Sequence, residues 1–294
     1  MGVTVRAPAK INLVLSVGPL RDDGYHPLDT IYQAISLYDD VTVTDAEEWS
    51  VEVTSADVDV TDVPLDERNL ALRAGRLLAD HHGLDRAAKV SVTKGIPVAG
   101  GMAGGSADAA ATLVALDRLW ELHTPDREML ALAAQLGSDV PFALVGGTAR
   151  GGGRGELVTS VPDESSLWWV VVPGAEGLST PEVYAEFDVA PGSDAGAPAP
   201  GWETPDLADI VRALRNDLEP AALRLRPELA ETRDALHAAG ARAVLLSGSG
   251  PTYLGLAADR HDAHDILDRL VRRGVSDVRI ATGPVAGAHV VEYV

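Results

Sequence analysis

Hydrophobic and polar residues along the chain follow two rhythms, one of period two and one of helical period. From Val3 to Val17 apolar residues recur at alternate positions, which predicts extended chain. An Ala-Pro-Ala-Lys patch interrupts the alternation. The segment therefore reads as two short strands or one bent strand, with Lys10 and Asn12 near the bend. Asp23-Gly24 marks a turn. Strands are expected over Thr30 to Leu37 and Asp40 to Thr44, and alternation returns from Ser50 to Val60. Asn69 to His82 places Leu70, Leu77 and Leu78 on one helical face, and Lys89 to Thr93 is a strand. Ala109, Leu113, Leu116 and Trp120 then recur at helix spacing, with Asp117 and Arg118 on the other side. Another helix is predicted over Asp126 to Leu136. A break at Gly137 to Pro141 precedes the apolar Phe142 to Val145. The glycine-rich run Gly146 to Gly155 reads mainly as a turn into a strand near Glu156 to Ser160.

Trp168 to Val172 is a strongly apolar strand and opens a second half. Helices are predicted over Asp206 to Leu214 and roughly Glu219 to Ala239, then strands over Ala243 to Leu246 and Tyr253 to Leu256. A helix over Ala263 to Arg273 follows, and Val278 to Ala281 and Val290 to Tyr293 are expected to close the sheet. Pro191 to Trp202 is rich in Pro, Gly, Ala and Ser, which predicts a mobile loop. Strands and helices mix here without strict βα repetition, so the reading is an α+β layer. The division is 1–160 for a nucleotide-binding part and 161–294 for a second part; no internal repeat is evident.

Composition changes this picture by exclusion. With 294 residues and 46% hydrophobic content the chain has ample material for buried cores. A formal net charge of −20 argues against a nucleic-acid surface or an anionic membrane as partner. The absence of cysteine removes disulfides, thiolate nucleophiles and Cys-based zinc sites. The histidines form no H-E-x-x-H arrangement, and His81-His82 before Gly83 suits a helix end. No signal peptide and no bilayer-length apolar run is evident, so a cytoplasmic protein is expected.

The chemistry centres on Pro97-Val98-Ala99-Gly100-Gly101-Met102-Ala103-Gly104-Gly105-Ser106-Ala107-Asp108. Four glycines fall within six residues, and a helix follows at once. Glycines let backbone amides approach an anion, and a helix N-terminus offers unpaired N–H groups with partial positive charge. The combination is a phosphate cradle, with Ser106 in the expected N-cap position. A Walker A loop is excluded, because no Lys-Ser/Thr follows the last glycine. A dinucleotide fingerprint fits poorly: Glu121 directly follows the helix, whereas a ribose-binding acid belongs at the end of a second strand.

Four other features carry candidate chemistry. Lys10 is a cation in an apolar β segment, either paired or snorkelling to solvent. Asp139 in Gly137-Ser138-Asp139-Val140-Pro141 reads equally as a catalytic acid or as a cap. Tyr25-His26 can stack on and hydrogen-bond a base, or decorate a turn. Ser247-Gly248-Ser249-Gly250 is a second glycine loop or a strand-to-strand turn.

Taken together these segments resemble a known family. Ala7-Pro8-Ala9-Lys10-Ile11-Asn12-Leu13, the cradle, and Leu246-Ser247-Gly248-Ser249-Gly250-Pro251 are similar, in order, to the three motifs of the GHMP kinases. Arg21 to Leu28, with Asp23-Gly24-Tyr25-His26, and Leu136 to Phe142 narrow the likeness to members that act on a cytidine diphosphate-linked methylerythritol, in the non-mevalonate route to isoprenoid precursors. The resemblance implies an α+β, two-domain GHMP kinase fold, its N-terminal domain like ribosomal protein S5 domain 2 and its C-terminal domain ferredoxin-like. It implies an ATP- and Mg²⁺-dependent kinase phosphorylating the 2-hydroxyl of that small molecule, as a monomer or weak homodimer. By position Lys10 and Asp139 match the catalytic pair. Asn12, Tyr25, His26, Thr180, Tyr184, Gly248 and Ser249 match substrate-binding positions, Pro97 to Ala107 and Asn69 match nucleotide contacts, and Ser106 is the expected metal contact. The cradle departs from the usual G-L-G-G-G-S-S-N: Ala103 replaces a glycine, Ala107 a serine and Asp108 an asparagine. Two alternatives compete. A kinase for another small alcohol has no use for Tyr25-His26, and a non-catalytic nucleotide sensor has no use for the Lys10 and Asp139 pair.

Overall fold

In the computed structural model, which describes residues 2–190, 195–201 and 207–293, the first alternating segment is one bent strand, β1 (Gly2–Val17). The two strands expected next are a single long one, β2 (Leu28–Ala46). They pair antiparallel, with register shifts between Pro8 and Ala9 and between Asn12 and Val14. Pro8 has no N–H for the ladder, which favours irregular pairing at that point. β3 (Ser50–Thr54) is shorter than its alternation suggested. Beyond it Ser55 Oγ accepts the amides of Asp57 and Val58, which turns the chain out of the sheet. Then come α1 (Leu70–His81) and β4 (Ala87–Thr93), with β4 parallel to β3 as a helical crossover requires.

The sheet is covered by α1, α2 (Gly104–Leu119) and α4 (Val140–Val145), and α3 (Asp126–Leu136) packs on those helices. Val5, Ala7, Ala9, Ile11 and Leu13 of β1 share one core with Ala110, Leu113 and Leu116 of α2. Each large aliphatic side chain so buried contributes on the order of 2 kcal/mol. The run read mainly as a turn contains a strand, β5 (Thr148–Gly152), in a hairpin with β6 (Leu157–Ser160). Close packing requires glycine at one position of this run: a Cβ on Gly151 would sit 2.3 Å from a Tyr32 ring carbon.

The second half comprises β7 (Leu167–Val172), α5 (Thr180–Val189), α6 (Leu207–Ala213), β8 (Arg215–Asn216), α7 (Glu219–Leu225), α8 (Leu229–Ala238), β9 (Ala243–Leu246), β10 (Tyr253–Ala257), α9 (Arg260–Arg272), β11 (Arg279–Gly283) and β12 (His289–Tyr293). The single helix expected from Glu219 to Ala239 is two helices. Arg226 takes φ −137 and ψ 77, the extended form that the following Pro227 enforces. The order β11-β7-β10-β9, all antiparallel, is the ferredoxin-like arrangement. One expectation is corrected: β12 does not close this sheet. It pairs with β1, giving the first sheet the order β12-β1-β2-β4-β3.

The sheets are joined through their cores, where Trp169 Nε1 donates to Gln33 Oε1 at 3.2 Å. Of the loop expected to be mobile, 191–194 and 202 lie outside the described residues, as does Asp206, the expected start of α6. Between them 195–201 is pinned: Gly196 N donates to Asp217 and Ala199 N to Asp29. No helix among the described residues is long and apolar enough to cross a membrane.

Candidate active site

Lys10 and Asn12 are two residues apart on β1, so both side chains leave the same face. Lys10 is buried, and its ammonium meets Asp139 Oδ1 at 3.2 Å and Asn12 Oδ1 at 3.0 Å. It also lies 5.0 Å from the centre of the Tyr32 ring. The snorkelling alternative is thereby set aside. Asn12 Nδ2 donates to Thr30 Oγ1 at 2.8 Å, which fixes the amide with its oxygen towards Lys10. Asp139 occupies the N-cap position of α4 but makes no side-chain cap bond. Its carboxylate is partly open to solvent and its charge is balanced by Lys10. That geometry favours the acid over the cap.

The glycine loop crosses directly above β1, and Lys10 N donates to Met102 O at 3.1 Å. Gly101 sits at φ +71, where a Cβ would lie 2.3 Å from Ser247 O and 2.7 Å from Gly250 O. Gly248 returns the contact, with a Cβ position 2.9 Å from Gly101 O. Only two residues without side chains allow the loops to stack so closely. Ser247 Oγ donates to Gly101 O at 3.0 Å, and Thr180 and Ser249 share a hydroxyl contact at 2.8 Å. Asn216 Nδ2 donates to Leu246 O and Gly248 O, which steadies the second loop from below.

An aromatic cluster lies across the same cavity. His26 is buried; its Nδ1 faces Gly18 O at 2.8 Å, and its Nε2 faces Asp188 at 3.5 Å. Tyr184 lies 5.2 Å from the His26 ring and Phe187 meets it edge-on at 5.8 Å. Burial, with the Asp139 charge, pushes the Tyr184 hydroxyl well above its ordinary value, so it is a neutral donor at physiological pH. Tyr25 is 51% exposed, with the Arg154 guanidinium 4.7 Å from its ring centre. Lys10, Asn12, Tyr25, His26, Asp139, Thr180, Tyr184, Gly248, Ser249 and much of the glycine loop line one cavity of about 900 Å³.

Two family models match the chain: the GHMP kinases N terminal domain over residues 69–147 and the GHMP kinases C terminal over residues 202–276. A 4-diphosphocytidyl-2-C-methyl-D-erythritol kinase of a Nocardioides species is 56% identical over 98% of this chain and 100% of its own. The enzyme of that name from Mycolicibacterium smegmatis is 50% identical, covering 98% of this chain and 92% of its own. The chain belongs to the 4-diphosphocytidyl-2-C-methyl-D-erythritol kinase family of GHMP kinases. A crystal structure of 4-(cytidine 5'-diphospho)-2C-methyl-D-erythritol kinase superposes with a TM-score of 0.75 at 33% identity, covering 96% of this chain and 98% of that one. A homoserine kinase from Cytophaga hutchinsonii gives 0.72 at 18% identity, covering 99% of this chain and 97% of that one, and shares the fold. As a GHMP kinase the chain is an ATP-dependent enzyme.

Not every residue expected from the GHMP resemblance reaches the cavity. Asn69 caps α1, accepting from Ala71 N at 2.9 Å and donating to Pro64 O at 2.8 Å. Instead of Asn69, the Asp62-Val63-Pro64 segment it anchors lines the cavity. Ser106 is not the N-cap of α2: that position is Ala103, in the left-handed region at φ 59 and ψ 33. A replacement of glycine there places a Cβ in a disfavoured conformation. Ser106 falls inside the first turn, and neither it, Ala107 nor the buried Met102 lines the cavity. Among the described residues no cluster of three or more His, Asp or Glu is arranged to hold a metal.

Other contributors lay unnoticed in this kinase's sequence. Arg154 closes the glycine-rich run read mainly as a turn; its position beside a predicted strand was the available signal. Asp188 has no signal short of the helix that carries it. Lys94 is buried and donates to Asp39 and, at 2.8 Å, to Asp108 Oδ2. Burial pushes the Asp108 carboxyl up to about 8, against the opposing charge of Lys94. Where the family usually has asparagine, this carboxyl is thus largely protonated near neutral pH and accepts from Lys94 beneath it, so it adds little charge to the cradle.

Proposed function

We propose that this chain transfers the γ-phosphoryl group of ATP to the 2-hydroxyl of 4-diphosphocytidyl-2-C-methyl-D-erythritol, in the non-mevalonate route to isoprenoid precursors. The observation that carries the reading is the Lys10–Asp139 pair at 3.2 Å, in one cavity with a glycine cradle and an aromatic cluster. The backbone amides of the loop and of the first turn of α2 seat the triphosphate. Tyr25 and Tyr184 supply stacking faces for cytosine, and His26 supplies a polar edge.

Asp139 accepts the proton of the 2-hydroxyl as its oxygen bonds to the γ-phosphorus. The bond between that phosphorus and the β,γ-bridging oxygen breaks, and the electron pair leaves with ADP. Lys10 holds Asp139 in place and offsets charge developing on the transferring group. Asn12, held by Thr30, orients the alcohol. Mg²⁺ would accompany ATP as part of the MgATP substrate and would supply neutralisation of phosphate charge. That mode needs no all-protein metal cage. The chain's own contribution is positioning and exclusion of water.

The test is ADP release by the purified protein with a panel of alcohols. Turnover on the cytidyl substrate, and little on homoserine or mevalonate, is expected. Turnover on either of those without the cytidyl substrate would refute the reading.

A further inference from the structure

The buried Lys94 takes no part in the chemistry above, yet it sits where the two ends of the glycine loop come together. It follows β4 directly, three residues ahead of Pro97, and is 5% exposed. Its Nζ donates to Asp39 of β2 and to Asp108 of α2. The other oxygen of Asp39 accepts the amides of Gly95 at 2.8 Å and Ile96 at 2.9 Å, the residues entering the loop. Asp108 belongs to the opening turns of the helix that leaves it. Gly104, the first residue of that helix, passes so close that a Cβ there would lie 3.1 Å from Lys94 Nζ. The Lys94 backbone reaches a third wall of the cavity: its N–H donates to Thr54 O, and its carbonyl accepts from Ser55 Oγ ahead of the Asp62-Val63-Pro64 segment.

We propose that Lys94 is a positioning residue for nucleotide binding, a clamp that sets the span between the entry and exit of the glycine loop through Asp39 and Asp108. The role rests on the reading of this loop as the seat of the ATP phosphates. The physical argument is geometric. A loop that binds by backbone amides has no side chains with which to adjust its aim, and a loop rich in glycine loses the most conformational freedom on ordering. Its amides converge only if its ends are held. A buried ammonium bonded to Asp39, which grips the entry through two backbone amides, and to Asp108 at the exit holds them, and the low local dielectric strengthens each bond. Asparagine at 108 offers Lys94 a carbonyl oxygen in the same place. The clamp therefore explains how Asp108 serves where an amide is usual.

The experiment measures binding of a non-hydrolysable ATP analogue with Mg²⁺ to the full chain by calorimetry, without the alcohol, beside steady-state KM values for both substrates. Wild type is compared with Asp108→Asn and Asp108→Ala. Asp108→Asn keeps an acceptor for Lys94 and is expected to bind the analogue within about threefold of wild type. Asp108→Ala cuts the exit end and is expected to weaken binding by about tenfold or more, because small misplacements of binding groups are costly. Its KM for the cytidyl alcohol is expected to stay within about twofold, a split that a general loss of folded protein does not produce. Binding by Asp108→Ala equal to wild type overturns the clamp. So does a failure of that variant to fold, because the contact would then support the whole domain and not the loop. If wild type itself binds no adenine nucleotide, the reading of the cradle fails instead.

Discussion

On the function proposed here, backbone amides recognise at the phosphate end of the cavity and side chains at the cytosine end. Gly101 and Gly248 interlock so closely that neither tolerates a Cβ, and ion pairs beneath them are almost fully buried. Tyr25, by contrast, is half exposed, and its partner Arg154 is reached from solvent. The same cavity thus has a braced wall and an open one. Where recognition is by backbone, side chains act as supports, and substitution disturbs the fold and the nucleotide together. Where recognition is by side chains, truncation removes affinity for one substrate and leaves the fold intact. Between the ends stands the Lys10–Asp139 pair, which belongs to neither mode of recognition.

The largest effect is expected at that midpoint. Asp139→Asn should lower kcat by about 10³-fold, the usual range for loss of a general base, while both KM values stay within a few-fold. Rapid-quench kinetics at saturating substrates would check this, and near-wild-type turnover would remove Asp139 from the chemistry. Next comes the braced wall. Gly101→Ala puts a methyl group 2.3 Å from Ser247 O in a left-handed conformation, so a stability loss of about 3 kcal/mol is expected. Denaturant unfolding and ATP titration should show both stability and nucleotide affinity falling. A variant with normal stability would show that the loops separate more easily than their packing implies.

The end assigned to cytosine should respond differently. His26→Ala is expected to raise KM for the cytidyl substrate by about tenfold, with ATP binding unchanged, as loss of a buried hydrogen-bonding group predicts. Equal changes in both KM values would break the contrast between the walls. The remaining effect concerns the pH response of Asp108. Its carboxyl is raised from the ordinary 3.8 to about 8, so its protonated form favours the folded state. That contribution is complete below the ordinary value and is lost as pH rises through about 8. The melting temperature should therefore fall between pH 6 and pH 9 (~3 units, spanning the shifted value), and Asp108→Asn should lose that part of the fall. An unchanged slope in the variant would assign the pH dependence elsewhere.

These contrasts also mark how far the sequence is legible. Residues close in the chain were readable. Lys10 and Asn12 share a face by the period of a strand, Tyr25-His26 are adjacent, and the glycines announce the loop before its helix. Supports that join distant segments were not. Lys94 meets Asp39 across two strands, and Arg154 reaches Tyr25 from a hairpin more than a hundred residues away.

By itself the sequence determined many of the elements, though not α5 or β5, together with the ferredoxin-like and S5-like halves that the family resemblance implies and the kinds of group available for phosphoryl transfer. Periodicity and short-range motifs are local properties, and local properties survive in one dimension. Tertiary structure decided which cation pairs with which acid and that β12 returns to the first sheet. Those outcomes follow from strand register and from the need to satisfy every buried charge. Both are settled only when the whole chain has packed.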